Sequence, residues 1–152
     1  MGERSMTDEY KERLALGLEF QDYCAIEFAK IGIPITNFSS QKYQHEKGEN
    51  LQGYEFKLDR NFRRTQNLYI EIAEKSNKEN AQFIDSGIMR SDNTLFYVIG
   101  DYEGVWLIQK QTLKYYIEYL KEVQTPTSIG KLLPIEKAKN LFNYIEFDDN
   151  LR

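Results

Sequence analysis

Two short runs of strand character dominate the middle of this chain. The first is Gly53-Tyr54-Glu55-Phe56-Lys57-Leu58-Asp59, and the second is Asn67-Leu68-Tyr69-Ile70-Glu71-Ile72-Ala73-Glu74-Lys75. The stretch between them is polar and basic. Side chains alternate faces along a strand. Glu55, Lys57 and Asp59 therefore share one face of the first run, and Tyr69, Glu71, Ala73 and Lys75 share one face of the second. Paired as a hairpin with those faces coincident, the runs bring carboxylates and lysines side by side. Clustered carboxylates suit hard divalent cations. A neighbouring lysine can steady a phosphate or an attacking water. This residue set fits metal-dependent phosphodiester cleavage.

The chain has 152 residues, enough for one domain over 1–152 with its own core. No apolar run approaches the ~18 residues of a membrane span, and no signal peptide is visible, so a cytoplasmic protein is expected. Cys24 is the single cysteine, which excludes an internal disulfide and suits a reducing compartment. Its place inside an apolar helix reads as core. His45 is the single histidine and lies in a polar stretch, so histidine-rich zinc sites and a serine–histidine–aspartate triad have little to draw on.

The net charge of −4 does not favour nucleic acid by itself. Its distribution matters more. Lys57, Arg60, Arg63 and Arg64 crowd one segment against the single acid Asp59. Such a loop is commonly only solvated, but beside an acidic cluster it is a candidate phosphate contact. Lys131 is a second candidate, in Ser128-Ile129-Gly130-Lys131. Ser86-Gly87-Ile88 reads as a turn available to substrate. Tyr54, Tyr69 or Tyr102 could stack on bases, although packing explains them as well.

Periodicity and punctuation give the remaining elements. Thr7 to Ile31 is helical, with Leu14, Leu18, Tyr23, Ile26 and Phe28 on its apolar side and Gly32 as the stop. Ile33 to Asn37 reads as an edge strand, and Ser39 to Gln52 as loop. A short helix is expected over Asn80 to Asp85. Leu95 to Ile99 and Val105 to Ile108 form a hairpin about Gly100–Gly104. Thr112 caps a helix carrying Leu113, Tyr116, Ile117 and Leu120. Thr125 to Ser128 reads as a linker, Gly130 to Leu133 as a short strand, and Pro134 opens a final helix. The expected class is α/β, a mixed central sheet flanked by helices.

This order resembles the PD-(D/E)XK nuclease superfamily, with its restriction-endonuclease-like fold, from Gly17 to about Phe142. The residues that carry the resemblance are Glu19 on the first helix, Asp59 at the end of the first core strand, and Glu71 on the next. The resemblance implies a Mg²⁺ (or Mn²⁺) shell of Glu19, Asp59 and Glu71, and DNA as substrate. It also implies a lysine two residues after Glu71, where this chain has Ala73. Lys75, further along the same strand, and Lys57, on the neighbouring strand, are the two replacements. Asp59, Glu71, Lys75 and Lys57 are then the catalytic candidates, with Arg60, Arg63, Arg64 and Lys131 on nucleic acid. The chain is small and shows no separate recognition domain, so a homodimer or a larger assembly is expected. The competing expectation, favoured by Ala73, is an inactive module of the same fold that binds nucleic acid or a protein partner.

Overall fold

The first helix, α1, runs over Asp8–Lys30 in the computed structural model, within one residue of either predicted end. The structure describes residues 8–36, 52–75, 79 and 82–147. His45, Glu49 and most of the predicted 39–52 loop lie outside them. The buried stripe of α1 is Phe20, Cys24 and Phe28, one residue per turn. Cys24 is core, as its apolar helical setting suggests. Leu18 and Ile26, predicted for the apolar side, are instead exposed at 37% and 60%. The aromatic spacing at positions 20 and 28 decides which face turns inward, because these rings bury the most area.

Strand β1 (Tyr54–Leu58) follows, then a one-turn helix α2 (Phe62–Thr65), β2 (Asn67–Glu74) and the two-residue β3 (Ile84–Asp85). A 3₁₀ turn at Gly87–Met89 leads to the hairpin of β4 (Phe96–Asp101) and β5 (Gly104–Gln109). After it come α3 (Lys110–Tyr116), β6 (Lys121–Gln124), β7 (Ser128–Pro134), α4 (Ile135–Leu141) and β8 (Asn143–Glu146).

The fold is mixed α/β, as expected, but it holds two sheets where one central sheet was predicted. The order is β1-β4-β5-β8 in the first and β3-β2-β7-β6 in the second. In the first, β1 is parallel to β4 and the remaining pairs are antiparallel; the second is wholly antiparallel. The hairpin predicted from β1 and β2 does not form. The segment between them winds into α2 and ends at Gln66, whose φ of 60° turns the chain away. β1 then takes β4 as its partner, and β2 takes β7. Ile84 and Asp85 form a strand rather than the end of a helix, because they pair with Glu74 and Ala73. Thr125–Ser128 is the tight turn of the β6–β7 hairpin, closed by Thr125 N–H donating to the Ser128 carbonyl at 2.8 Å. Residues 33–36, predicted as an edge strand, carry none.

Two apolar clusters hold these layers together. Phe20, Cys24, Phe28, Phe56, Val98, Val105 and Phe147 join α1 to the outer face of the first sheet. Tyr97, Ile99, Trp106 and Ile108 on its inner face meet Leu68, Ile70 and Leu133 of the second sheet, closed by Leu113, Ile117 and Ala138. Each fully buried large side chain is worth about 1.5–3 kcal/mol.

Asp59 links the two sheets at the point where the hairpin was expected. Its N–H continues the β1–β4 ladder to the Gly100 carbonyl at 2.7 Å. Its carboxylate accepts the N–H of Asn61 at 2.9 Å and of Tyr69, on β2, at 3.0 Å. Replacing Asp59 by Ala strands both N–H groups, so a loss of about 2 kcal/mol is expected. Urea unfolding with an unchanged denaturant slope checks this, and Asp59→Asn, which keeps one acceptor oxygen, should lose less.

Candidate functional site

A cavity of about 570 Å³ opens where α1 overhangs the free edge of β1 and the end of β2. Its lining includes the basic residues Arg13, Lys57, Arg60, Lys75 and Arg90, the acids Glu71 and Glu74, and Gln21. Phe56, Leu58 and the first turns of α1 supply its apolar floor. Glu71, Lys57, Lys75 and Arg60, singled out from the sequence, therefore meet in one place although β1 and β2 are unpaired.

Glu74 is the acid that sequence reasoning missed, and a β-bulge explains it. Glu71 pairs with Gly130, Ala73 with Ile129 and Glu74 with Ser128, so Ile72 is one residue extra. Gly130 and Ser128 share a face of β7, hence Glu71 and Glu74 share a face of β2. Regular alternation would separate them. Bulges commonly re-aim a side chain in this way. Ala73 is turned to the opposite face, so the absence of a lysine at 73 does not leave a gap beside Glu71. The extra Ile72 carbonyl accepts the Ser86 N–H at 3.1 Å. Gly87 seals the outside of the bulge: a Cβ there would sit 2.4 Å from the Glu71 carbonyl oxygen, and its φ of +52° favours glycine.

The charges in the cavity act on one another. Burial pushes the Glu74 carboxyl up, Glu71 adds to this, and Lys57, Arg13 and Arg90 oppose it. Lys57 Nζ lies 3.3 Å from Oε1 of the buried Glu55, two residues back on the same strand face. Lys75 Nζ rests 4.4 Å from the centroid of the Phe83 ring. Tyr97, on the strand beside β1, is buried, which pushes its phenol up. Lys57 opposes that shift, while Glu55, Glu71 and Asp59 reinforce it. One buried hydroxyl thus feels four of the charged groups carried by the two runs.

Other predicted residues lie elsewhere. Glu19 is exposed on the flank of α1 that acts electrostatically on Tyr102. Asp59 sits between the lining residues Leu58 and Arg60, with its oxygens taken up by the two backbone N–H groups already described. Arg63 is clamped by Asp101 at 2.6 and 3.0 Å and by Glu103 at 3.2 Å, and it borders a different hollow beside Trp106 and Tyr144. Arg64 is exposed near Asn61. Lys131, opposite Ile70, pairs with Glu122 at 3.6 Å. Of the four cations in the basic segment, Lys57 and Arg60 line the cavity, and Arg63 and Arg64 do not. Among the described residues no group of three or more histidine, cysteine, aspartate or glutamate side chains is placed to hold a metal, and no helix is long and apolar enough to cross a membrane. Comparison with protein-family models, characterised proteins and solved structures gives no match to this chain.

Arg90 enters the cavity wall from a buried ionic knot. Asp92, with its side chain fully buried, accepts from Arg90 Nε at 3.0 Å and from Lys110 Nζ at 3.1 Å. Lys110 also donates to the Arg90 carbonyl at 2.6 Å. Burial alone would push the Asp92 carboxyl up. Hydrogen bonds from Thr94 and Lys110 outweigh it and hold the group below the usual carboxylate range. The unfolded chain then binds the Asp92 proton more readily than the folded one. Stability from this group is fully present above an unfolded value of about 3.9 and is lost as pH falls through the lower folded value. Asp92→Asn is expected to flatten the acid limb of a stability–pH curve. At pH 7 it should cost about 3–5 kcal/mol, because Lys110 is left buried beside a neutral amide.

Proposed function

We propose that this protein is a divalent-metal-dependent endonuclease that hydrolyses phosphodiester bonds of DNA. The observation that carries the reading is the cavity in which Glu71 and Glu74, brought onto one face by the bulge, are ringed by Lys57, Lys75, Arg13, Arg60 and Arg90. Mg²⁺ is commonly held by one or two carboxylates, its other positions being filled by water and substrate phosphate. Burial and the neighbouring Glu71 raise the cost of the Glu74 charge, and a cation between the two acids offsets it. Glu71 and Glu74 are the residues that would hold it. A bound cation supplies Lewis acidity toward water and the scissile phosphate.

The chain's own groups do the rest. Arg13, Arg60 and Arg90 offer donors for phosphate oxygens, and the guanidinium fork matches their geometry. Lys75, with Lys57 as the alternative, stabilises charge developing on the phosphate and orients the nucleophile. The apolar floor from Phe56 and Leu58 lowers the local dielectric and strengthens each of these interactions. The restriction-endonuclease-like core belongs to the same proposal. Element order and the placement of Glu71 support it, and the division of β1 and β2 between two sheets departs from it. A cytoplasmic setting and a homodimer complete the reading.

The second reading is an inactive module of this kind that binds nucleic acid or a protein partner. It is favoured by the lack, among the described residues, of a three-ligand acidic cluster. Plasmid nicking in Mg²⁺ or Mn²⁺ decides between the two. Glu71→Gln and Glu74→Gln are each expected to abolish nicking and the Mn²⁺-induced rise in melting temperature, which for a ligand at 100 times its Kd reflects about 2.7 kcal/mol. Salt-sensitive DNA binding by the wild type with no cut in either metal would establish the inactive module instead.

The two lysines separate on two readouts. Lys75→Met is expected to lose orders of magnitude in single-turnover cleavage with little change in melting temperature, since its ammonium rests on an aromatic ring. Lys57→Met is expected to lose less rate and more stability, because Glu55 stays buried without its 3.3 Å partner. The reverse ranking in rate moves the catalytic lysine to β1.

A further inference from the structure

The far end of the Glu71 carboxylate is attached to a chain of hydroxyls. Ser128 Oγ donates to Glu71 Oε1 at 3.3 Å, and Tyr69 Oη lies 2.6 Å from the same Ser128 oxygen. One arrangement of protons satisfies both contacts: the Ser128 hydroxyl hydrogen goes to Glu71, and the Tyr69 hydroxyl hydrogen goes to Ser128.

The three residues are placed by backbone constraints from two strands. Glu71 and Tyr69 alternate onto the same face of β2. Ser128 is the first residue of β7, fixed by the β6–β7 turn through its N–H bond to Thr125 Oγ1 at 3.0 Å. The Tyr69 ring crosses β7 at Gly130, directly opposite Glu71. A Cβ at Gly130 would lie 2.3 Å from the ring, so only glycine leaves room for the phenol to reach Ser128. Without these contacts the Glu71 side chain, beside the bulge of β2, has three free torsions, and a cation site built on it loses preorganisation.

We propose that Ser128 and Tyr69 are positioning residues that seat the Glu71 carboxylate, and that Gly130 is the clearance they require. The sequence singles out Tyr69 for base stacking and the Ser128–Lys131 stretch for phosphate contact, and carries no signal that Tyr69 and Ser128 meet at Glu71. The consequence for cation binding rests on the function proposed above, whereas the seating itself does not, and the test separates the two.

Without metal and at constant neutral pH, the seating of Glu71 is followed by NMR of its labelled δ carbon. The signal is expected to shift in Ser128→Ala, which removes the hydrogen bond to Oε1, and to return in Ser128→Thr. A Glu71 signal unmoved by Ser128→Ala overturns the proposal. With Mn²⁺ alone as probe, Ser128→Ala, Tyr69→Phe and Gly130→Ala are each expected to weaken binding by about 10-fold or more, the usual range for residues behind a metal ligand. Ser128→Thr, which restores a hydroxyl, should return affinity to within about twofold, a rescue that a merely structural serine would not show. Equal losses in Ser128→Thr and Ser128→Ala would also overturn it. A Glu71 signal that moves as expected, in a wild type that binds no Mn²⁺, upholds the seating and removes the metal-dependent function.

Discussion

The Asp59 carboxylate is the constraint on which the arrangement depends. β1 and β2 belong to different sheets and share no ladder, so the chain needs another means of keeping their ends together. Asp59 supplies it from a single residue. Its backbone closes the β1–β4 ladder on Gly100, and its side chain takes the N–H groups of Asn61, which caps α2, and of Tyr69 within β2. Charge-assisted bonds to backbone N–H groups are stronger than neutral ones. They also fix the direction in which β2 leaves, and hence the side on which Glu71 emerges. A residue that resembles a metal ligand in sequence is thereby a joint between layers in the fold.

From that joint the site is built by irregularity. A β2 of regular pleat would present Glu71, Ala73 and Lys75 together and turn Glu74 inward. The extra residue at Ile72 reverses this, and Ser86 and Gly87 hold the bulge in place. The two acids then face a wall of cations contributed by α1, β1 and the 3₁₀ turn. Arg90 and Lys57 are themselves tied to buried carboxylates, Asp92 and Glu55. The basic side chains are thus partly neutralised and oriented in the folded chain, which suits binding an anion with little reordering.

The position of the charged runs was legible because local chemistry carries it. Alternating apolar residues mark β1 and β2, glycines and polar residues mark the β4–β5 turn, and periodicity marks α1. The pairing was not legible. The β1–β2 hairpin is the short-range solution for two strands close in sequence, and the chain instead pairs them with β4 and β7, whose Tyr97, Ile99 and Leu133 join the core. β6 and β8 escaped for a related reason: Lys121–Gln124 and Asn143–Glu146 are mostly exposed edge strands with little apolar pattern of their own.

What the sequence determined by itself is the inventory: a mixed α/β chain, a cysteine buried in a helix, and glutamates and lysines concentrated on two adjacent strands. These follow from composition and from the two periods of backbone geometry. Only the tertiary structure decided which of them meet. Glu74 replaces Ala73 on the face of Glu71 because of one unpaired residue. Glu19 falls outside the cavity because Phe20 and Phe28 set the rotation of α1. Arg63, Arg64 and Lys131 are drawn away from it, or left aside, by partners far along the chain or by the turn of α2. The face shared by Glu71 and Glu74, the rotation of α1 and the clamping of Arg63 depend on contacts between residues distant in sequence, whose energies no local pattern records.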